Sequence, residues 1–429
     1  MFGSRKTEVL VVGAGPTGLV AALALADAGV AVEIIEEQAD TAGHSYALAL
    51  HPASLQTFER LGLAEVALAL GRRVPAIGIY EGQERRADLG IGDARHPLLV
   101  LPQSALEHLL VEALAKKGVR VRWSHRLARL EPGTTGVAAT VHRLERETTG
   151  YAVARSGWVV DKELRYDASY VVGADGHASL VRRILEIPFE ETSPSQVYSV
   201  VECAARRPAD DMRLAIGAGS LDAVWPLPSG RFRFSLQIED SEVRAEDRFK
   251  SRLVSQVGER FFPHLDPGAL LAMMAKRAPW FDPDPGSLGW SIEVRFERRL
   301  ADSFGRDRVW LAGDAAHLTG PAGMQSMNAG LREAFDLATR LAAACRLGDA
   351  NGALKEYGRE RLQEWRFLLG KSGGLKAGAE APAFAKKHAA RLLSGLPGTD
   401  EALDALVAQI GLTPVRQGDA FQSNSIVAS

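Results

Sequence analysis

The sequence predicts an α/β protein: a Rossmann-like nucleotide-binding domain, an antiparallel β-sheet domain inserted into it, and a helical C-terminus. Three observations predict this. Residues 8–37 read strand, glycine-rich turn, helix, strand. Residues 195–237 alternate between apolar and polar positions with a period of two. From residue 325 onward the pattern is helical to about Leu412.

Glu8–Val12 is short and rich in β-branched residues, as in a buried parallel strand. Gly13, Ala14, Gly15, Pro16, Thr17 and Gly18 follow as G-x-G-x-x-G, and helix formers run from Pro16 to Ala28 before Gly29. Val32–Ile35 is a second strand that delivers Glu36, eighteen residues after Gly18. Gly13 permits the turn, Gly15 lets backbone approach a pyrophosphate, and Gly18 lets helix and strand pack closely. The helix N-terminus offers free N–H groups to that pyrophosphate, and Glu36 can accept from ribose hydroxyls. Together these predict an ADP-containing ligand.

Farther on, a helix is expected over 52–61, turn-rich sheet over 85–100, and an amphipathic helix from Gln103 to Lys117. Val119–Trp123 alternates like a strand, and 136–145 with 151–160 reads as a hairpin. Tyr170–Arg183, YVVGADGHASLVRR, is a strand, an acidic turn flanked by glycines, and a helix. In the alternating region Phe232, Phe234 and Leu236 share one strand face, and Arg231, Arg233 and Ser235 the other, read as a solvated face. Helices are expected over 245–262 and 267–277, then a strand over 290–296. Arg308–Ala312 is an apolar strand ending in GDAAHLTGPAGMQSMN, after which a long helix runs to Cys345.

Composition narrows the class. The 429 residues suffice for two or three domains, and 51 Lys+Arg against 53 Asp+Glu give no reason to expect a nucleic acid or membrane partner. The polar start, MFGSRKTE, predicts no signal peptide, and no apolar run is long enough to span a bilayer. Cys203 and Cys345 lack metal-ligand spacing and read as reduced thiols of a cytoplasmic protein. His44 and His51 are close in sequence but have no acidic or cysteine partner beside them, so no metal site is expected.

The glycine turn, the GADG segment (Gly173, Asp175, Gly176, with Ser179 and Arg182) and GDAAH at 313–317, in that order, resemble the class A flavoprotein monooxygenases, typified by p-hydroxybenzoate hydroxylase. The resemblance spans roughly 8–345 and implies FAD as cofactor, with NADPH or NADH and O₂ as cosubstrates. It also implies hydroxylation of an aromatic or polyketide-like substrate through a flavin C4a-hydroperoxide. Carried over by position, Glu36 and Glu37 lie at the ribose, Leu127 at the adenine, Gln103 and Asp314 at the ribityl chain, and Asp175 and Gly176 at the pyrophosphate. Pro321, Gly323, Met327 and Asn328 lie at the flavin ring, where the helix N-terminus would stabilise negative charge on the N1–C2=O edge. No protein nucleophile is required, and His317 is expected to be structural. The inserted sheet of the resembled family roofs the substrate, making Trp225, Phe232 and Phe234 candidate substrate contacts.

By this resemblance residues 1–75, 100–190 and 297–345 form the FAD-binding domain, and 76–99 with 191–296 the substrate-binding sheet. Residues 346–412 are C-terminal helices and 413–429 a flexible tail, ending before the thioredoxin-like domain that phenol hydroxylase relatives append. Three residues depart from the family pattern: Glu37 and Tyr46 where a cation is common, and Ser326 where glycine is usual. A flavin-dependent reductase, oxidase or halogenase on the same fold is the alternative enzyme class, although the halogenase Trp-x-Trp-x-x-Ile-Pro motif is absent. A nucleotide-binding sensor without redox chemistry is the alternative outside enzymes.

Overall fold

A computed structural model describes residues 4–41, 47–149, 155–207, 209–239, 253–254, 266–347 and 351–416. Tyr46, His44, most of the helix expected over 245–262 and the tail beyond 416 lie outside the described residues. Within 245–262 the described pair Leu253–Val254 is a strand paired with 293–294.

The apolar opening run becomes strand Arg5–Val12, whose last four residues are buried. It pairs in parallel with Val32–Ile35 on one side and with the end of strand Arg155–Gly173 on the other, and Val309–Leu311 extends the parallel sheet beyond that. The N-terminal half of Arg155–Gly173 is half of a long hairpin with Val137–Thr149. Nine of the twelve residues of helix Pro16–Asp27 are buried, which is why its sequence is nearly all small and apolar; it packs on helix Gln325–Leu347. The expected strand at 119–123 is absent. Only Arg122 bridges to Ile35, because the chain there turns across the sheet edge instead of running along it.

A second sheet of nine strands is assembled from distant segments, including Ala76–Glu81, Glu84–Gly90, Phe189–Cys203, Leu221–Pro226, Phe232–Ile238 and Ser291–Ala301. Its pairings are antiparallel except one: Met212–Ile216 runs parallel to Ala76–Glu81, joining the two sequence-remote parts. The C-terminus adds helices Asn351–Leu368, Ala383–Gly395 and Asp400–Ala408 with a small hairpin of Gly374–Ala377 and Leu412–Val415.

The two faces of this sheet differ from expectation. Phe232, Phe234 and Leu236 are buried with Leu270, Met274 and Phe281 under helix Pro267–Arg277, and the Phe234 and Phe281 rings meet edge-on at 4.7 Å. They form a sealed core rather than a cavity wall. Trp225 is also fully buried, on the opposite face, packed in the main core. That opposite face is not solvated: Arg233 is buried, paired with Glu202 at 2.6 Å and set over the Trp290 ring, and Arg231 donates to the carbonyls of Glu202 and Ser287. Period two identified the faces correctly, but neither has its expected role: a helix covers the phenylalanine side, and Glu202 with backbone carbonyls takes up the arginines of the other.

Candidate active site

The carboxyl ends of the parallel strands converge on one cleft, where open α/β sheets bind ligands. Gly13 follows the first strand with φ +101°, and a Cβ there would stand 2.3 Å from the Ala174 carbonyl oxygen. A Cβ on Gly18 would stand 1.9 Å from the carbonyl oxygen of Gly13, so helix and turn meet through bare backbone. Gly15 has open space where a side chain would be, so a ligand can lie directly on its backbone.

The cleft has two adjoining parts. The first, about 590 Å³, is lined by Gly13–Gly15, Glu36, Glu37, Gln103, Leu127 and the Ala174–His177 turn, among others. The second, about 350 Å³, includes Pro16, Thr17, Asp314, Pro321, Ser326 and Met327, with Val294 and Phe296 of the second sheet. Gly15, Gln103, Ala174, Gly176 and His177 border both parts, which makes one continuous trough from Glu36 to Asp314. Glu36 is held in place: its carboxylate accepts the Ala14 N–H at 2.7 Å and the Gln38 N–H at 2.9 Å.

The GADG side chains are used internally. Asp175 accepts from the Ser179 hydroxyl at 2.6 Å and from the N–H groups of Leu180 and Val181, capping the short helix Leu180–Ile184. Burial raises its pKa above the usual carboxylate value despite those donors. Arg182 donates to the carbonyls of Ala315 and His177 and lies 3.8 Å from the Phe189 ring centroid. The segment therefore presents backbone and the His177 side of the turn to the trough, with Ser179 and Arg182 acting as its clamp.

At the other end Asp314 stands after Val309–Leu311, one oxygen accepting the Ser326 hydroxyl at 2.6 Å. Behind it lies a buried network. Glu333 accepts from the Gly313 N–H and from His317 Nε2, both at 2.9 Å, and from the Trp365 indole at 2.7 Å. Burial would raise the Glu333 carboxyl, but the His317 imidazole and these donors hold it below its usual value. His317 also stacks on Trp365 at 3.7 Å, so it is fixed on all sides as a structural residue. Ser326 ties Asp314 to the N-terminal turn of helix Gln325–Leu347.

Met327 and Pro321 line the trough, while the Asn328 side chain is engaged on the other side of its helix turn, leaving only its backbone N–H for the ring. A Cβ on Gly323 would stand 2.7 Å from the Leu396 carbonyl oxygen. The Asn328 amide is spent on the Ala49 and Met324 carbonyls while its oxygen accepts from the His51 N–H and the Ser54 hydroxyl. These contacts tie strand Ala49–Leu50 and the start of helix Pro52–Arg60 to the first turn of helix Gln325–Leu347. His51 is buried and neutral, its pKa lowered to about 3 chiefly by desolvation, with Nε2 2.9 Å from the Gly323 carbonyl. Among the described residues no cluster of three His, Cys, Asp or Glu could hold a metal ion.

Sequence reasoning missed Arg126 and Arg183, cations that border the nucleotide end beside His125 and His177. Pairing of strand His125–Pro132 with Val137–Thr149 brings Arg126 there, while Arg183 stands on the short helix that follows the GADG turn and closes the YVVGADGHASLVRR segment. It also missed Val294 and Phe296, whose alternation in SIEVRFERRL was the available signal.

The residues fit an extended FAD: a bare-backbone cradle at Gly15, a carboxylate at each end, and a trough linking them. The FAD binding domain family matches residues 6–265 and 281–369. A rifampicin monooxygenase of Rhodococcus hoagii is 28% identical over 365 residues, covering 83% of this chain and 68% of that protein. A 3-(3-hydroxy-phenyl)propionate/3-hydroxycinnamic acid hydroxylase of Mycolicibacterium smegmatis is 28% identical, covering 86% of this chain and 60% of that protein. Among solved structures, p-nitrophenol 4-monooxygenase of Pseudomonas putida superposes with a TM-score of 0.68 at 22% identity, covering 95% of this chain and 94% of that one.

Proposed function

The chain belongs to the FAD binding domain family, and we propose that it is an FAD-dependent monooxygenase that hydroxylates an aromatic or polyketide-like substrate with NAD(P)H and O₂. The observation that carries this reading is that the far part of the trough, the part that would hold the flavin ring, is walled by apolar Val294, Phe296, Leu318 and Met324, so that an organic substrate would lie against the ring there. The relatives named above are monooxygenases and a hydroxylase, which supports the same reaction class.

Bound FAD supplies the redox and oxygen-transfer chemistry; the chain's own residues bind and orient. Glu36 offers its carboxylate to the ribose, with Glu37 and Leu127 completing that end. Gly13–Gly18 and Gly176 present N–H groups and bare backbone to the pyrophosphate, with Arg126 and Arg183 adding positive charge. Asp314 and Gln103 accept or donate along the ribityl chain. Pro321 and Met327 place the N-terminus of helix Gln325–Leu347 at the ring, favouring negative charge there. The second sheet roofs the substrate through its Val294 and Phe296 face and excludes water.

The test is a screen of aromatic compounds for stimulation of NAD(P)H oxidation by the purified protein, with peroxide measured in parallel. A hydroxylase shows stimulation with a hydroxylated product and little peroxide. Stoichiometric peroxide with every compound would make the chain an oxidase, and no flavin reduction by either nicotinamide would remove the monooxygenase reading.

A further inference from the structure

Resting on the reading that the Glu36 end of the trough holds the adenosine end of FAD, we propose that the His125 imidazole selects adenine there, Nε2 accepting a hydrogen bond from the 6-amino group. The backbone places the residue. The Glu36 N–H donates to the Arg122 carbonyl at 3.0 Å, the Ser124 N–H to the Gln38 carbonyl at 2.8 Å, and the His125 N–H to the Glu36 carbonyl at 2.7 Å. Residues 122–125 therefore lie directly beside Glu36, whose carboxylate addresses the ribose in that reading, and the base of a nucleotide adjoins its ribose. Ser124, at φ +57°, turns the chain between Trp123 and His125. With Trp123 and Leu127, His125 borders the nucleotide part of the trough and not the part that holds Asp314.

The imidazole is held in one tautomer. Nδ1 lies 2.7 Å from the Trp123 carbonyl oxygen, which can only accept, so Nδ1 carries the hydrogen. Nε2 is then a lone-pair acceptor, and among the described residues it makes no hydrogen bond. Partial burial lowers the pKa of the ring, and the Arg122, Arg5 and Arg143 guanidiniums lower it further against the Trp123 bond, so the ring is neutral at physiological pH.

An acceptor at this place distinguishes bases. In a nucleoside, adenine donates N–H hydrogens only through its 6-amino group, whereas hypoxanthine and guanine carry a carbonyl oxygen at that position. An amino group satisfies Nε2; a carbonyl oxygen sets lone pair against lone pair. Arg126 and Arg183, which border the same cavity, only donate, so they favour the carbonyl instead.

The test titrates deflavinated protein with FAD and with flavin hypoxanthine dinucleotide, in which a carbonyl oxygen replaces the 6-amino group. One hydrogen bond set against one lone-pair clash corresponds to roughly tenfold in affinity, so wild type binds FAD about tenfold tighter. His125→Phe keeps a flat ring without an acceptor and binds the two dinucleotides within about twofold of each other. His125→Gln does the same, because its amide turns to donate or accept. Full preference in His125→Gln would overturn the proposal even if His125→Phe failed to fold. A preference that survives in His125→Phe would assign the amino group to Glu37 or to backbone and overturn it too. Equal binding by wild type would overturn the proposal and leave the cofactor reading standing, whereas no binding of either dinucleotide would overturn both.

Discussion

Ser326→Ala isolates the contact that holds Asp314 toward the cofactor. The hydroxyl lies 2.6 Å from one Asp314 oxygen, a short charge-assisted hydrogen bond. Its distance to His317 Nδ1 is 3.5 Å, too long to contribute much. The substitution therefore removes one bond and leaves the Glu333–His317–Trp365 network intact. A hydrogen bond to a charged group contributes about 1.5–3 kcal/mol; Asp314 is half-buried, so solvent takes part of that role and the low end applies. About 1.4 kcal/mol is tenfold in affinity, so FAD binds on the order of tenfold more weakly while the thermal midpoint changes little. The assay is a flavin titration of deflavinated wild type, Ser326→Ala and Ser326→Thr at equal ionic strength. The threonine variant keeps the hydroxyl and recovers most of the affinity. Unchanged or tighter binding in Ser326→Ala would refute the idea that this hydroxyl orients Asp314. Equal loss in both variants would assign the effect to packing.

Three further outcomes are expected. Asp314→Ala leaves ribityl hydroxyls unpaired and weakens FAD binding about tenfold to hundredfold, read in the same titration; retention of wild-type affinity would make Asp314 a turn residue only. Phe234→Ala destabilises the protein by about 3–5 kcal/mol, because the side chain is fully buried against Phe281; a denaturant melt showing wild-type stability would restore it to the cavity wall. Stability falls on acidification partly through His51, whose folded-state pKa is about 3 against an ordinary 6.5. The unfolded chain takes up the proton first, so this contribution is complete above about pH 6.5 and drains as pH falls toward 3. Near 1.36 kcal/mol per pK unit, about 2 kcal/mol is lost by pH 5. Melts at pH 7 and pH 5 should show a smaller loss for His51→Gln, and equal losses would contradict the assignment.

The parts of the site legible in the sequence are those set by local backbone constraint. Gly13 and Gly18 are required by contacts of 2.3 and 1.9 Å that any Cβ would violate, so the turn announces itself in residue identity. Glu36 and Asp314 stand at strand ends, where short-range pattern places them. What the sequence concealed depends on long-range packing. Alternation at 231–236 separates two faces without saying that helix Pro267–Arg277 covers the phenylalanine side. The GADG acid resembles a ligand contact in one dimension, yet its oxygens cap the following helix. Ser326, a departure from the family pattern, becomes intelligible only when the Asp314 carboxylate is seen beside it.

The central claim is that the trough from Glu36 to Asp314 holds a whole dinucleotide. Parallel titration of deflavinated protein with FAD and with FMN tests it most directly, because FMN reaches Asp314 but lacks the AMP half that Glu36 and Leu127 would address. The account predicts a yellow complex with FAD, and FMN binding weaker by a hundredfold or more, on the order of 3 kcal/mol for the lost adenosine-end contacts. Equal affinity for the two flavins, or no flavin bands after incubation with excess FAD, would contradict it.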